Sequence, residues 1–248
     1  MPAMDRRISR RQALGAFATV SLGTLLGCGG SDRAASSPTP VATAEGGTAT
    51  VEPRTEAVSE LVRKLDASAG CSPAVEQAEG PYYFDADAIR SDIREGRDGT
   101  ELVLALRVRE AGECTPIENA VVDIWHCDAG GVYSGFEAGE AERFLRGAQV
   151  TNEQGIARFT TIYPGWYQGR TVHVHAKVHL DNRTVLTTQL YFDDAVSDRV
   201  LAGDAYAARG ERAQRNDSDG IFDDSLVVTL ERRGAGYLGL MNVDVRQA

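Results

Sequence analysis

The sequence predicts an all-β fold, an antiparallel β-sandwich with short helices and long loops. Segments in which apolar and polar residues alternate recur between residues 102 and 245, with the period of a strand that buries one face. Turn-forming Gly, Asn, Asp and Pro residues separate these segments. Only two short segments have helical periodicity. About seven strands with short connections are typical of a β-sandwich.

The predicted elements follow one another along the chain. A first helix at residues 56–65 is indicated by apolar residues at helical spacing. Turns at 152–155 and 181–182 lead into two of the strands, and a second short helix covers residues 194–201. The predicted strands cover residues 102–108, 120–125, 156–162, 171–180, 184–191, 226–230 and 238–245.

Residues 1–28 have the features of a bacterial export signal. Four arginines, at positions 6, 7, 10 and 11, precede an apolar stretch at 13–26, and the start resembles a twin-arginine signal. The run Leu25-Leu26-Gly27-Cys28 resembles a lipobox, in which the cysteine becomes lipidated. We therefore expect an exported protein that is anchored to the membrane of the cell envelope through Cys28. A plain secretory signal or an uncleaved anchor is the alternative.

The rest of the chain divides into a tether and one domain. Residues 29–65 form the predicted tether, because residues 29–54 are rich in Gly, Ser, Thr, Ala and Pro, and the short helix follows them. Residues 66–248 form one domain of ordinary size. The net charge is −10, which argues against nucleic-acid binding.

Three cysteines remain once Cys28 is assigned to the lipobox. In an oxidising compartment they predict one disulfide and one free thiol. Cys114 lies near the tip of a predicted hairpin and Cys127 at the far end of its second strand, so these two are roughly 25 Å or more apart and are not expected to pair. Cys71 is the expected partner of one of them, and the sequence leaves open which.

A pair of histidines on one predicted strand indicates a metal site. His173 and His175 point to the same face, roughly 6–7 Å apart along the strand. Two imidazoles at that spacing can bind one ion, although such a pair is more often part of a solvated sheet face. Tyrosine phenolate is a hard anionic donor, so a site of two His and two Tyr, with Tyr133 and Tyr167 as the tyrosines, favours Fe(III) over zinc or copper(I).

Several motifs occur in order along about 110 residues of the domain. The motifs are Glu79-Gly-Pro-Tyr-Tyr83, Ala120-Val-Val-Asp-Ile-Trp125 with Gly131-Val-Tyr-Ser134, Phe159-Thr-Thr-Ile-Tyr-Pro-Gly-Trp-Tyr167, Arg170-x-x-His173-x-His175, and Thr188-Gln-Leu-Tyr191. Together they resemble the intradiol ring-cleavage dioxygenases, the family of catechol and protocatechuate dioxygenases. The resemblance implies a β-sandwich that uses O2 to cleave a catechol-type ring.

The resemblance also implies residue roles. A mononuclear non-haem Fe(III) would be held by Tyr133, Tyr167, His173 and His175. Two phenolates lower the net charge of the ion and stabilise the ferric state, and metal binding deprotonates phenols whose ordinary pKa is about 10. Tyr167 would leave the metal and accept a substrate proton. Two further residues complete the implied catalytic set: Arg170 would stabilise carbanion character in the ring, and Gln189 would line the pocket.

Nearby residues offer alternatives to this set. Tyr163 falls before the Pro-Gly, where the family does not place a ligand. His179 shares the face of His175 but lies about 13 Å along the strand, too far for the same ion. His126 and Cys127 could form a zinc site with the histidine pair. The run Asn216-Asp-Ser-Asp-Gly220 resembles a calcium loop but lacks its full spacing, and a solvated turn is the simpler interpretation.

The chain departs from the better-known members of the family in two ways. Only five residues separate Tyr167 from His173, where those enzymes have a longer loop, so the pocket is expected to be more open. The long helical dimerisation region of catechol dioxygenases is also missing from this sequence. The oligomeric state and the particular catechol are not predicted. The alternatives to an enzyme are a non-catalytic module that binds a metal or an aromatic ligand, and a structural sandwich of transthyretin-like type.

Overall fold

Two four-stranded sheets form the core of the protein. The computed structural model describes residues 39–42, 48–51, 55–67, 70–86, 88–181 and 183–246. The predicted export signal, including Cys28, lies outside the described residues. Within the described ranges, no helix is long and apolar enough to cross a membrane. The elements are β1 (Thr39–Ala42), β2 (Thr48–Val51), α1 (Thr55–Asp66), β3 (Glu101–Glu110), β4 (Val121–Trp125), β5 (Arg146–Val150), β6 (Ile156–Ile162), β7 (His173–Leu180), β8 (Arg183–Tyr191), α2 (Asp194–Leu201), β9 (Thr229–Arg233) and β10 (Gly236–Val245).

The predicted β-sandwich is confirmed. The first sheet has the strand order β6-β3-β10-β9 and the second has the order β5-β4-β7-β8. Every neighbouring pair is antiparallel except β3 and β10, which run parallel. Residues 111–235, which include every strand of the second sheet, lie between β3 and β10, and so long a connection allows parallel pairing.

Alternation along the strands places the apolar core between the sheets. Leu104, Leu106 and Phe159 of the first sheet and Val174 and Ala176 of the second are buried in one cluster. The opposite face of β7 carries the histidines. It lies on the outside of the sandwich and is covered by loops, so polar residues there are held on a rigid sheet and still shielded from water.

One core strand and one terminal hairpin are missing from the sequence prediction. Strand β5 has no alternating apolar pattern, because its sequence is Arg-Gly-Ala-Gln-Val, and it forms through its ladder with β4. Within the predicted tether, β1 and β2 pair in an antiparallel hairpin. The predicted strand at 226–230 begins later, at Thr229, because Asp224–Leu226 forms a short 3-10 turn capped by Asp223.

Helix α1 packs on the outer face of the first sheet. Leu61 and Leu65 are buried against Ala105, Ile156 and Leu240. Two polar contacts also join the helix to the sheet: an ion pair between Asp66 and Arg107, and a hydrogen bond of 2.9 Å from Asn242 Nδ2 to the Leu65 carbonyl. The predicted division between tether and domain, at residues 65 and 66, therefore falls at the end of a helix that contacts the domain.

A disulfide joins Cys71 to Cys114, with the Cα atoms 5.4 Å apart. This resolves the choice that the sequence left open, and the remaining Cys127 is free and buried. The bond spans 43 positions of the chain, so by loop-closure entropy it stabilises the fold by about 4 kcal/mol. It ties the segment that leads into the site to the end of β3.

Candidate metal centre

The four predicted ligands meet on the outer face of the second sheet. The Nε2 atoms of His173 and His175 are 3.1 Å apart, and the Tyr167 hydroxyl is 3.0 Å from His173 Nε2. The Tyr133 ring contacts both Tyr167 and His175, with centroids 5.7 and 6.1 Å apart. The structure therefore brings together all four side chains, which come from β7 and from the loops that follow β4 and β6.

Hydrogen bonding leaves the inward nitrogen of His173 free to bind a metal. Its Nδ1 lies 2.7 Å from the Thr171 carbonyl, which can only accept, so Nδ1 carries the proton and Nε2 presents a lone pair. Burial lowers the pKa of His173 to about 3 and that of His175 well below its ordinary value. Both imidazoles are neutral at neutral pH, which is the form that binds metals.

The two tyrosines need a nearby cation in order to ionise. Burial raises the pKa of Tyr133 well above its usual value and that of Tyr167 to about 12. The Tyr133 hydroxyl is buried and has no well-formed hydrogen bond within the described part of the chain. The lone pair of His173 Nε2, the facing Nε2 of His175 and two such phenols suit a positive ion at the centre of the cluster, and a trivalent ion is the best match for two phenolates.

Aromatic packing fixes the ring of His175. Trp125, its neighbour on β4, stacks on it with the ring centroids 4.8 Å apart and an angle of 6° between the planes. On another side, Gly80 approaches so closely that a Cβ there would lie 3.3 Å from His175 Cε1. Gly80 has a φ of +75°, a conformation that favours glycine. The Glu79–Tyr83 motif thus holds the histidine in place.

Arg170 and Gln189 lie next to this cluster and contact each other. Arg170 Nη2 donates to Gln189 Oε1 at 2.5 Å, and Gln189 Nε2 donates to the Ala78 carbonyl at 2.8 Å. Gln189 is fully buried and is paired with His175 across the strands. Arg170 and Gln189, both predicted to be catalytic, are therefore held next to the four predicted ligands.

Asp219 orients Arg170 and was missed by the sequence analysis. Its Oδ2 accepts from Arg170 Nε and from the Thr171 backbone N–H, both at 2.9 Å. Burial opposes ionisation of this carboxyl, but these bonds and one from the Ile221 N–H outweigh it and lower its pKa. The interpretation of residues 216–220 as a solvated turn is wrong at this residue, because its side chain is only 2% exposed.

Of the alternative ligands, Cys127 packs beside Tyr133 and Tyr167, whereas the other three are bonded to groups outside the ligand set. Tyr163 is buried in the sandwich core and bonds Ser197, and His179 Nδ1 bonds the Thr184 hydroxyl. Both ring nitrogens of His126 have partners, Thr161 Oγ1 and the Cys127 carbonyl. In the part of the chain that the structure describes, no group of three or more His, Cys, Asp and Glu side chains is placed to bind a metal. His126, with both ring nitrogens bonded elsewhere, is not placed to share a zinc ion with the histidine pair.

Comparison with known proteins agrees with this geometry. The family model described as "Dioxygenase" matches residues 78–235, which is more than half of the chain. The chain belongs to the intradiol ring-cleavage dioxygenase family. The matched region contains every residue of the candidate centre.

Solved structures of this family have the same fold. An intradiol ring-cleavage dioxygenase from Tetranychus urticae is 34% identical, with a TM-score of 0.68 over 71% of this chain and 95% of that chain. The dioxygenase domain of a carbohydrate-binding fusion protein from Streptomyces sp. SirexAA-E is 31% identical, with a TM-score of 0.58 over 71% of this chain and all of that chain.

Curated relatives of the family are longer than the matched region. A chlorocatechol 1,2-dioxygenase from Pseudomonas putida is 30% identical over 152 residues, which is 52% of this chain and 56% of that protein. A catechol 1,2-dioxygenase from Acinetobacter baylyi is 30% identical over 57% of this chain and 50% of that protein. The chain spans about half the length of the curated relatives it matches.

Proposed function

We propose that this protein is an Fe(III)-dependent dioxygenase that cleaves a catechol-type ring between its two hydroxyl-bearing carbons. Both atoms of O2 enter the product, so no external reductant is needed. The observation that carries the proposal is the convergence of two tyrosines and two neutral histidines, beside Arg170 and Gln189, in a chain of this family.

The ferric ion would be held by Tyr133, Tyr167, His173 and His175. Once bound, such an ion supplies a Lewis acid that binds both catechol oxygens and favours loss of their protons. The chain contributes a preformed set of donors on one sheet face. Because His173 and His175 are neutral and buried, no proton must leave the histidines before the ion binds.

Tyr167 is the tyrosine suited to accept a substrate proton. It is half-buried, whereas Tyr133 is fully buried, and burial raises its pKa to about 12 although the charge of Arg170 opposes this. A released Tyr167 phenolate would therefore hold a proton firmly on its Oη. Its hydroxyl can stay within the site by bonding to nearby polar groups, since it already lies beside His173.

Arg170 is suited to stabilise negative charge on the bound ring. Its guanidinium is oriented by Asp219 and Gln189, so the charge is in place before the reaction begins, which is how electrostatic stabilisation acts most strongly. Gln189 accepts from Nη2 of that guanidinium and is itself held in place by its hydrogen bond to the Ala78 carbonyl.

The substrate class is an aromatic ring with two adjacent hydroxyls. The printed names of the relatives, chlorocatechol and catechol 1,2-dioxygenase, support this class. The short connection from Tyr167 to His173 leaves less chain to cover the site than the longer loop of the better-known enzymes. We propose that substituted or bulkier catechols are turned over better than catechol itself.

Iron content and colour test the proposed centre. Protein produced in iron-sufficient medium without added zinc should contain one iron per chain and show a red to brown absorption band from phenolate-to-Fe(III) charge transfer. Metal analysis and a visible spectrum are sufficient. A preparation with stoichiometric zinc and no visible band would contradict the proposal.

We also propose that the protein is exported and anchored by a lipid at Cys28. The support is the arginine-rich start, the apolar stretch and the Leu25-Leu26-Gly27-Cys28 run. Export is consistent with the disulfide between Cys71 and Cys114, since such bonds form in oxidising compartments. Fractionation of cells that express the full chain, with Cys28→Ser as the control, tests the anchor: only the wild type should stay with membranes.

A further inference from the structure

Arg146 is a buried cation whose hydrogen-bond partners are all neutral. The residue is 1% exposed. Its Nε and Nη2 donate to the Ser134 carbonyl at 3.2 and 2.8 Å, and Nε also donates to Ser134 Oγ at 2.9 Å. Its Nη1 has no hydrogen-bond partner among the described residues. Burying a guanidinium in this way costs free energy, so we expect its charge to stabilise a neighbouring group.

Two groups gain from this charge, Tyr133 and the Asp123 carboxylate, and Tyr133 has the larger effect on the guanidinium. The Arg146 Cζ lies 5.9 Å from the centre of the Tyr133 ring and 4.3 Å from that of Phe84. Because Ser134 follows Tyr133 in the chain, the bonds to Ser134 fix the guanidinium beside the tyrosine. Across the sheet, Arg146 pairs with Trp125, which pairs in turn with His175. Arg146 thus belongs to the row of residues that supports the site.

We infer that Arg146 is a positioning residue whose fixed positive charge, held beside the Tyr133 ring, makes that tyrosine a weaker electron donor to the ion, and so sets the colour and reduction potential of the centre. This inference rests on the proposed ferric site. Burial lowers the pKa of Arg146 itself only to about 10, so the guanidinium remains charged at neutral pH.

The sign of the effect follows from electrostatics. A positive charge beside the phenolate stabilises its electrons and makes it a weaker donor to the ion. Removing that charge makes Tyr133 a stronger donor, which favours Fe(III) over Fe(II). The energy needed to move an electron from phenolate to iron then falls, so the charge-transfer band moves to longer wavelength.

Two substitutions of Arg146 separate charge from packing. Arg146→Gln is neutral, whereas Arg146→Lys keeps the charge, and both lose the two-nitrogen contact with Ser134. In the iron-loaded full chain, the Gln variant should absorb at longer wavelength and prefer Fe(III) by about tenfold more than wild type, which for a one-electron couple is about 59 mV lower in reduction potential. The Lys variant should keep the wild-type band and potential.

Arg143→Gln is the matched control. Arg143 also lies over the Phe84 ring, at 4.5 Å, but it is half-exposed, so loss of its charge should leave the band unchanged. Equal shifts in the Gln and Lys variants, or no shift in either, would overturn the inference while the coloured wild type upholds the proposed function. If Arg146→Gln does not fold, a shifted band in Arg146→Lys overturns it. A wild type that binds no iron overturns both.

Discussion

His175→Ala is expected to lose both bound iron and ring cleavage, whereas His179→Ala keeps both. His175 presents its Nε2 to the centre at 3.1 Å from that of His173. His179 lies four residues further along β7 and bonds Thr184. Loss of a group that only orients a ligand costs 10–100-fold in metal affinity, so loss of the ligand itself should cost more than about 100-fold.

The His179 variant is a close control, since both histidines lie on the same strand and the same face. Iron per chain is measured by metal analysis of both purified variants, and oxygen uptake is measured with a catechol. Equal loss of iron in the two variants would show that the assignment of ligands on β7 is wrong. Retention of stoichiometric iron in His175→Ala would show the same.

Arg170→Ala should keep the iron and its colour but lose most of its turnover. Arg170 contacts Gln189 and Asp219 rather than serving as a ligand, so the centre should assemble without it. Removing one preorganised group that stabilises developing negative charge typically lowers kcat by about 10²–10³-fold, or roughly 3–4 kcal/mol. The measurements are the visible spectrum and the steady-state rate of oxygen uptake.

Asp219→Asn is the companion variant. This variant keeps the charge of Arg170 and a side chain that can accept a hydrogen bond, but it weakens the hydrogen bond that orients the guanidinium. Its kcat should therefore fall less than that of Arg170→Ala. A wild-type rate in Arg170→Ala would show that this residue takes no part in the reaction. Loss of colour in Arg170→Ala would instead mean that Arg170 supports the ligands.

Much of the fold and of the candidate centre could be predicted from local sequence. Alternation on β7 placed His173 and His175 on one face because the side-chain period of a strand is fixed. The prediction of β6 at 156–162 and α2 at 194–201 matches the structure. In each case the periodic pattern lies within one strand or helix, and the residues of that element are enough to predict which face a side chain lies on.

What the sequence did not predict depends on partners distant in the chain. Asp219 is buried because it meets Arg170, 49 positions away, so its Asp-rich surroundings suggested a solvated turn. Strand β5 has a Gly and polar residues, and only its ladder with β4 makes it a strand. No sequence pattern indicated a role for Arg146 on that strand, because the aromatic rings that it contacts are brought near it only by the fold.

The mass of the product formed under ¹⁸O2 shows whether the protein inserts both atoms of O2 into a cleaved ring. The iron-loaded chain is incubated with catechol and substituted catechols, and oxygen uptake is followed in parallel. The expected product, for at least one catechol, is a ring-opened dicarboxylic acid that carries both atoms of one labelled O2. A fully iron-loaded protein that consumes no O2 with any of these catechols, or a product that contains only one labelled atom, would contradict the proposed function.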